Sequence, residues 1–242
     1  VALRYIYSDL AFSDAYSAEQ QKGASAFAAD ISGFLTTYPV VGRNECQWSW
    51  GFNISNIGTK VSYDNGNNPA FLPTNLRLGT SFMFPLADYH TLAFSLDLNK
   101  LLVPTRPRQQ DYTDADGNED QEAYQKALDD WKDMSPITGI FKSFSDAPGG
   151  FKEELQEITW SIGAEYAYNQ QFFGRMGYYY ENANKGGRSY FGFGAGFSLN
   201  VVRLDASYLL ATSQNSPLDQ TLRFTLSFDL DGLRDLLGKR RK

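Results

Sequence analysis

His90 is the only imidazole in the chain and Cys46 the only thiol. Nucleophilic catalysis needs a base beside its nucleophile, and His90, flanked by Asp88 and Tyr89, supplies a base with no marked partner. The chain carries neither a G-x-S-x-G elbow nor a phosphate-binding loop. Cys46 cannot close an internal disulfide, and one histidine cannot complete a Cys/His zinc set. Next to Trp48 at the start of a strand-like run, Cys46 reads as a small apolar filler. Asp114, Asp116, Asn118 and Asp120 around Gly117 resemble half of a calcium loop, because alternate oxygen-bearing side chains can wrap a hard cation. The closing glutamate is missing from its expected place, so the run reads as a solvated acidic loop. Gly192, Gly194 and Gly196 alternate with Phe191, Phe193, Ala195 and Phe197, which puts the glycines on one face of a strand, where they relieve crowding, and not in a nucleotide fingerprint. No catalytic residue, metal or cofactor is expected, and the chain does not read as an enzyme.

The elements that carry these residues alternate with a period of two. Trp48, Trp50, Phe52 and Ile54 interleave with Gln47, Ser49, Gly51 and Asn53; Leu92, Phe94, Leu96 and Leu98 with Ala93, Ser95, Asp97 and Asn99; Leu222, Phe224, Leu226, Phe228 and Leu230 with Thr221, Arg223, Thr225, Ser227 and Asp229. Ten candidate strands follow, near 1–8, 24–37, 46–56, 74–85, 89–100, 156–168, 171–181, 189–200, 201–211 and 220–230. A soluble sandwich would alternate too, but several runs reach the roughly 9 to 11 residues that a tilted strand needs to cross a bilayer. Tyr5, Tyr7, Tyr166, Tyr168 and Tyr178 to Tyr180 crowd strand ends, where aromatic girdles lie. The polar face carries Arg4, Asp30, Arg77, Asp97, Glu165, Arg175, Arg203, Asp205, Arg223 and Asp229, too charged for a dry core and suited to a wet lumen. No run approaches the roughly 18 apolar residues of a spanning helix. The net charge of −6, with one basic cluster at Lys239 to Lys242, excludes a nucleic-acid groove.

The fold expected is all-β: a transmembrane antiparallel barrel over 1–230 in a bacterial outer membrane, followed by a short periplasmic tail over 231–242. Longer connections near 9–23, 57–73, 101–155, 182–188 and 212–219 alternate with short ones, which assigns the longer class to the extracellular side. Val at position 1 and the lack of a signal segment read as a processed or truncated chain.

The segment 101–155 breaks the pattern. It opens on Pro104, Arg106, Pro107 and Arg108, passes an acidic run, and predicts a short helix over Glu119 to Met134 before a reversal at Pro148, Gly149 and Gly150. Phe141, Phe144 and Phe151 are large apolar residues in this charged surroundings, and exposed aromatics there point to a partner that covers them. Glycine's freedom at Gly149 and Gly150 would let Pro148 and its neighbours turn and present the rings. The alternative is that the rings fold inward as a plug over the barrel mouth.

Two stretches go beyond generic patterning. Asn53 to Lys60 (NISNIGTK) followed by Phe71 to Gly79 (FLPTNLRLG), and Phe141 to Glu157 (FKSFSDAPGGFKEELQE), resemble the PorV family of type IX secretion outer-membrane proteins. The resemblance extends over nearly the whole chain, the second stretch being its most specific part. It implies a FadL-like barrel of about fourteen strands, about four of them N-terminal to this chain. It also implies a carrier that receives cargo with C-terminal signal domains from an SprA-type translocon and passes it to a PorU-type sortase complex for attachment to lipopolysaccharide. A FadL-like channel for hydrophobic small molecules and a lipopolysaccharide deacylase are the competing readings. The inward residues, mostly Ser, Thr, Asn, Gly and charged groups, disfavour the channel, and His90 on the periplasmic side disfavours the deacylase.

Overall fold

A computed structural model describes residues 1–9, 23–64, 66–113, 117–213, 216–232 and 234. Asp114 and Asp116 of the acidic run, and most of the 231–242 tail, lie outside the described residues. The strands are β1 (Ala2–Ser8), β2 (Ala24–Thr37), β3 (Val40–Val41), β4 (Asn44–Glu45), β5 (Gln47–Gly58), β6 (Asn75–Ala87), β7 (His90–Leu101), β8 (Thr159–Tyr168), β9 (Phe172–Tyr180), β10 (Ser189–Leu199), β11 (Val202–Ala211) and β12 (Leu222–Phe228). All ten expected strands are present, and β3 with β4 adds a small hairpin inside what the pattern gave as a plain connection.

The large sheet has the order β1-β2-β5-β6-β7-β8-β9-β10-β11-β12. Each strand neighbours the next long one in sequence, which is the meander that short reversals produce. Leu199 pairs with Val202 across a two-residue turn in which Asn200 takes φ 50, a left-handed angle that Asn tolerates. The order ends at β1 and at β12, and no pairing joins these two among the described residues. A ten-stranded antiparallel meander therefore stands, whereas the expected closure into a barrel is not among the observed pairings. Among the described residues no helix is long and apolar enough to cross a membrane, which says nothing of strands.

Contacts divide the chain into two compact units: one of Val1–Gly33, Phe52–Arg77 and Asn99–Ile158, the other of Phe34–Gly51, Leu78–Leu98 and Thr159–Lys242.

In the second unit the alternation becomes two chemically distinct faces. Phe193, Phe197, Met176, Leu204 and Tyr208 are exposed, while Gly192, Gly194, Gly196, Arg175, Arg203 and Asp205 are partly covered on the other face. Register explains the glycines. Gly194 lies opposite Arg175 and Gly196 opposite Asp205, and the Arg175 guanidinium crosses this gap to bond Asp205 at 2.6 Å while also pairing with Glu165. A side chain at Gly196 would meet both Asp205 and Arg175, so these glycines leave room for an ion-pair network. Arg203 joins it through Asp205 at 2.8 Å.

Aromatic rings gather at both ends of β9. Trp160, Tyr178, Tyr180 and Phe191 form contacts at one end, and Tyr168, Phe172 and Phe197 at the other. Phe172 and Tyr180 bound this strand, about 26 Å apart at the usual rise per residue. That is the same order as the roughly 25 Å apolar band of an outer-membrane barrel.

The first unit contains the long connection, which is more ordered than the pattern implied. It holds α1 (Gln121–Asp133), α2 (Pro136–Lys142) and α3 (Phe151–Gln156). The helix α1 matches the one expected over Glu119 to Met134. The other two were read as loop, and α3 takes residues that were expected to open the strand at 156, so that β8 begins at Thr159. Local capping explains the starts. Asp120 accepts the Ala123 N–H, and Ser135 accepts the Thr138 N–H with Pro136 in the first turn.

Candidate functional site

The cap formed by 102–158 rests on a small core and on buried charge. Leu102, Leu128 and Ala147 are buried. Trp131 of α1 packs edge-on against Phe71 at 5.1 Å and donates its indole N–H to the Pro104 carbonyl at 3.1 Å. Gly139 of α2 fits against Phe71 and Pro104, where an added Cβ would come within 2.9 Å and 3.1 Å of the two rings. Lys60 reaches up from the end of β5 to donate to the Lys132 and Trp131 carbonyls at 2.6 Å and 3.3 Å, with its ammonium 4.2 Å from the centre of the Phe71 ring. It thereby satisfies carbonyls that a helix C-terminus leaves open. Burial pushes the Lys60 ammonium below its usual range, with Asp133 opposing.

Lys100 fastens the far side. Its Nζ lies 2.9 Å from Glu154 and 2.7 Å from Glu157, with the Lys100 and Glu154 side chains both nearly closed to solvent. Lys100 also sits 5.9 Å from the centre of the Phe144 ring. Burial alone would push the Glu154 carboxyl up, but hydrogen bonds from the Ala147 N–H and from Lys100 outweigh it and hold the group below the usual carboxylate range. Asp146 is held above its usual range by burial, with Glu154 and Glu157 adding to the effect and the Thr105 N–H opposing it.

The residues expected to bind a partner fall on this anchored frame. Phe141 ends the exposed side of α2 and is 73% exposed; Phe151 opens α3 and is 76% exposed; Phe144, between them, is 48% exposed. Pro148, Gly149 and Gly150 form the expected reversal. Gly149 donates its N–H to Glu153 at 2.7 Å, and Gly150 takes φ 69 and ψ −158, a conformation essentially reserved for glycine, as it starts α3. Ile137 and Leu155 extend the exposed apolar surface, each one helical turn from a phenylalanine.

The other residues singled out by type lie elsewhere. His90 opens β7, with Nδ1 2.5 Å from the Tyr166 hydroxyl and its ring beside Tyr168. Cys46 is buried before β5. Asp120 serves as the N-cap of α1. Lys60, Lys100, Asp146 and Glu154 were not foreseen. The sequence signal that could have found Lys100 is its position at the apolar parity of β7, two residues after Leu98, where a cation needs partners.

An apolar depression of about 610 Å³ lies on the exposed face of the second unit, against Gly174, Met176, Phe193, Ala195 and Ala206. Most of its lining surface is apolar, although Arg175, Ser207, Tyr166 and Tyr208 also border it.

Comparison with known proteins finds a family likeness over the first part of the chain. The family description "Type IX secretion system protein PorV" matches residues 1–108. Over those residues, fewer than half of the 242, the chain is similar to that family. The matched part contains the Asn53–Lys60 and Phe71–Gly79 stretches, Lys60 and Lys100; the Phe141–Glu157 stretch lies beyond it. No curated protein matches the chain.

Proposed function

We propose that this chain is an outer-membrane β-barrel subunit of the type IX secretion system, without chemistry of its own, that binds the translocon and secreted cargo through the Phe141–Glu157 segment. It then carries cargo to the surface attachment complex. The observation that carries the reading is an anchored cap that exposes Phe141, Phe144 and Phe151 while burying Glu154 and Lys100. A flexible loop could fold exposed rings away; helices pinned by Lys100, Gly139 and Trp131 hold them out. The PorV match over 1–108 supports the secretion role, and the paired aromatic belts with charged residues on the opposite face support a strand-crossed membrane.

The partners in this reading are an SprA-type translocon, cargo with C-terminal signal domains, a PorU-type sortase complex and outer-membrane lipopolysaccharide. A channel for hydrophobic small molecules would want an apolar lumen, yet the depression lies on the exposed apolar face and the other face of β8 to β11 holds the Arg175 network. A deacylase gains nothing from His90 among tyrosines.

Replacing Phe141 and Phe144 with Ser tests the reading. The expected outcome is a folded, heat-modifiable barrel at normal abundance in the outer membrane, a sharp fall in co-purified translocon and cargo, and secreted proteins held in the periplasm. Unchanged co-purification and secretion at normal barrel levels would sink it.

A further inference from the structure

Residues 136–157 carry four carboxylates and two lysines, so the sequence of this segment is acidic. The fold reverses that at its exposed surface. Asp146 accepts the Thr105 N–H at 2.7 Å, Glu153 the Gly149 N–H at 2.7 Å, and Glu154 the Ala147 N–H at 2.8 Å, while Glu154 and Glu157 share Lys100. Every acid of the segment is thus drawn into an internal contact, and none is classed as exposed. Lys142 and Lys152 are exposed, and their side chains make no hydrogen bond or ion pair among the described residues.

The two lysines are placed alike. Each directly follows an exposed phenylalanine, in Phe141-Lys142 and in Phe151-Lys152. Each phenylalanine in turn has an exposed aliphatic residue one turn away on its helix, Ile137 on α2 and Leu155 on α3. The contacts to Phe144 and to Glu154 and Glu157 gather the end of α2 and the inner side of α3 around Lys100. What remains outside is a repeated unit: an apolar pair with an unpaired cation beside it.

Resting on the reading above, we infer that this surface docks a protein face of the secretion machinery in which an apolar ridge is flanked by carboxylates, the phenylalanines giving affinity and Lys142 and Lys152 selecting the charge of the partner. Apolar anchors in a desolvated centre carry most binding energy, while cations at the rim steer encounter and reject like-charged partners. A lipid headgroup layer fits less well. Helices that lie in a membrane interface set a continuous apolar face against one rich in Lys and Arg, whereas α2 and α3 carry one lysine each and are pinned from inside.

The test uses the full chain isolated in mild detergent from native outer membranes, reading the translocon barrel retained per chain as NaCl is raised. Retention by the unaltered chain should fall with salt. K142Q/K152Q should weaken retention at low salt and flatten its salt dependence, and K142R/K152R should preserve both. K142E/K152E should lose about tenfold or more at low salt and regain part of it as salt screens the new repulsion. F141S/F144S should weaken retention at every salt concentration. Because both lysines are exposed, the barrel should stay heat-modifiable in each lysine variant. If F141S/F144S loses the translocon while K142E/K152E keeps it, the cationic selection is wrong and the binding segment stands. If both keep it, the segment fails as well. If K142E/K152E keeps the translocon but stops binding vesicles that contain lipopolysaccharide, the lysines face headgroups and the inference is overturned.

Discussion

The strands β8 to β11 and the helical cap over 102–158 both expose large apolar side chains, and they do so for opposite reasons. On the strands the exposure is periodic: every second residue of β10 from Phe191 to Leu199 is exposed, with glycines and Ser198 between them. Such a stripe has no single spot that needs covering; it suits a continuous apolar solvent, and the polar network at Arg175 occupies the other face. In the cap the exposure is local, four side chains on two short helices and Phe144 between them, with the inner sides tied by Lys100 and Gly139. A local apolar patch held rigidly is what a discrete partner covers. The comparison teaches that exposed area alone does not separate lipid from protein as the intended neighbour. The spacing of the exposed residues, and whether polar contacts behind them fix their positions, does.

The largest effect expected from breaking this contrast is at Lys100. Lys100→Met leaves the Glu154 and Glu157 carboxylates buried without their cation, which should destabilise the cap by about 3–5 kcal/mol. Amide hydrogen exchange in detergent would read this as a large loss of protection confined to α3 and its neighbours, with β8 to β11 unchanged. Exchange that rises equally in the strands would erase the distinction between the two regions.

A smaller effect tests the strand side. Phe224→Arg on the apolar face of β12 should cost roughly 2–4 kcal/mol if that face meets lipid, and Thr225→Arg on the polar face much less if that side is wet. Folding yields in detergent or vesicles check it. Equal losses in both variants would reverse the facing of the strand.

The smallest effect sharpens the cap by pH. A carboxyl held below its free value, as Glu154 is, contributes stability that is present above the free value and is lost as pH falls through the depressed one. Asp146, held above its free value by burial, acts the other way and favours the fold on the acid side. Between about pH 6 and about pH 3, α3 should lose protection once intrinsic exchange rates are corrected for, and Glu154→Gln should abolish the change. An unaltered response in that variant would move the pH sensitivity to another group.

Much of this molecule was legible in the sequence because strands of this kind answer to a local rule. Alternation at Trp48 to Ile54, at Leu92 to Leu98 and at Leu222 to Phe228 located elements that the fold contains, with ends displaced by a few residues at most. The helix α1 was written locally too, the expected span over Glu119 to Met134 enclosing Gln121–Asp133. The helices α2 and α3 were not. At 7 and 6 residues they are too short to persist alone, and their stability comes from contacts distant in sequence.

The sequence by itself determined the ten long strands, the alternation of their faces, the exclusion of a spanning helix and the reversal at Pro148 to Gly150. Only the tertiary structure decided where charge ends up. Lys100 stands at the apolar parity of β7 and becomes buried because Glu154 and Glu157 come to meet it from the cap. Arg175 crosses Gly194 and Gly196 to reach Asp205 because register brings three strands into line. The same burial of acids leaves Lys142 and Lys152 outside, so a segment acidic by composition presents cations. Periodicity is set by the geometry of a single strand, whereas the pairing of charges depends on which chain segments meet, and no local pattern records that.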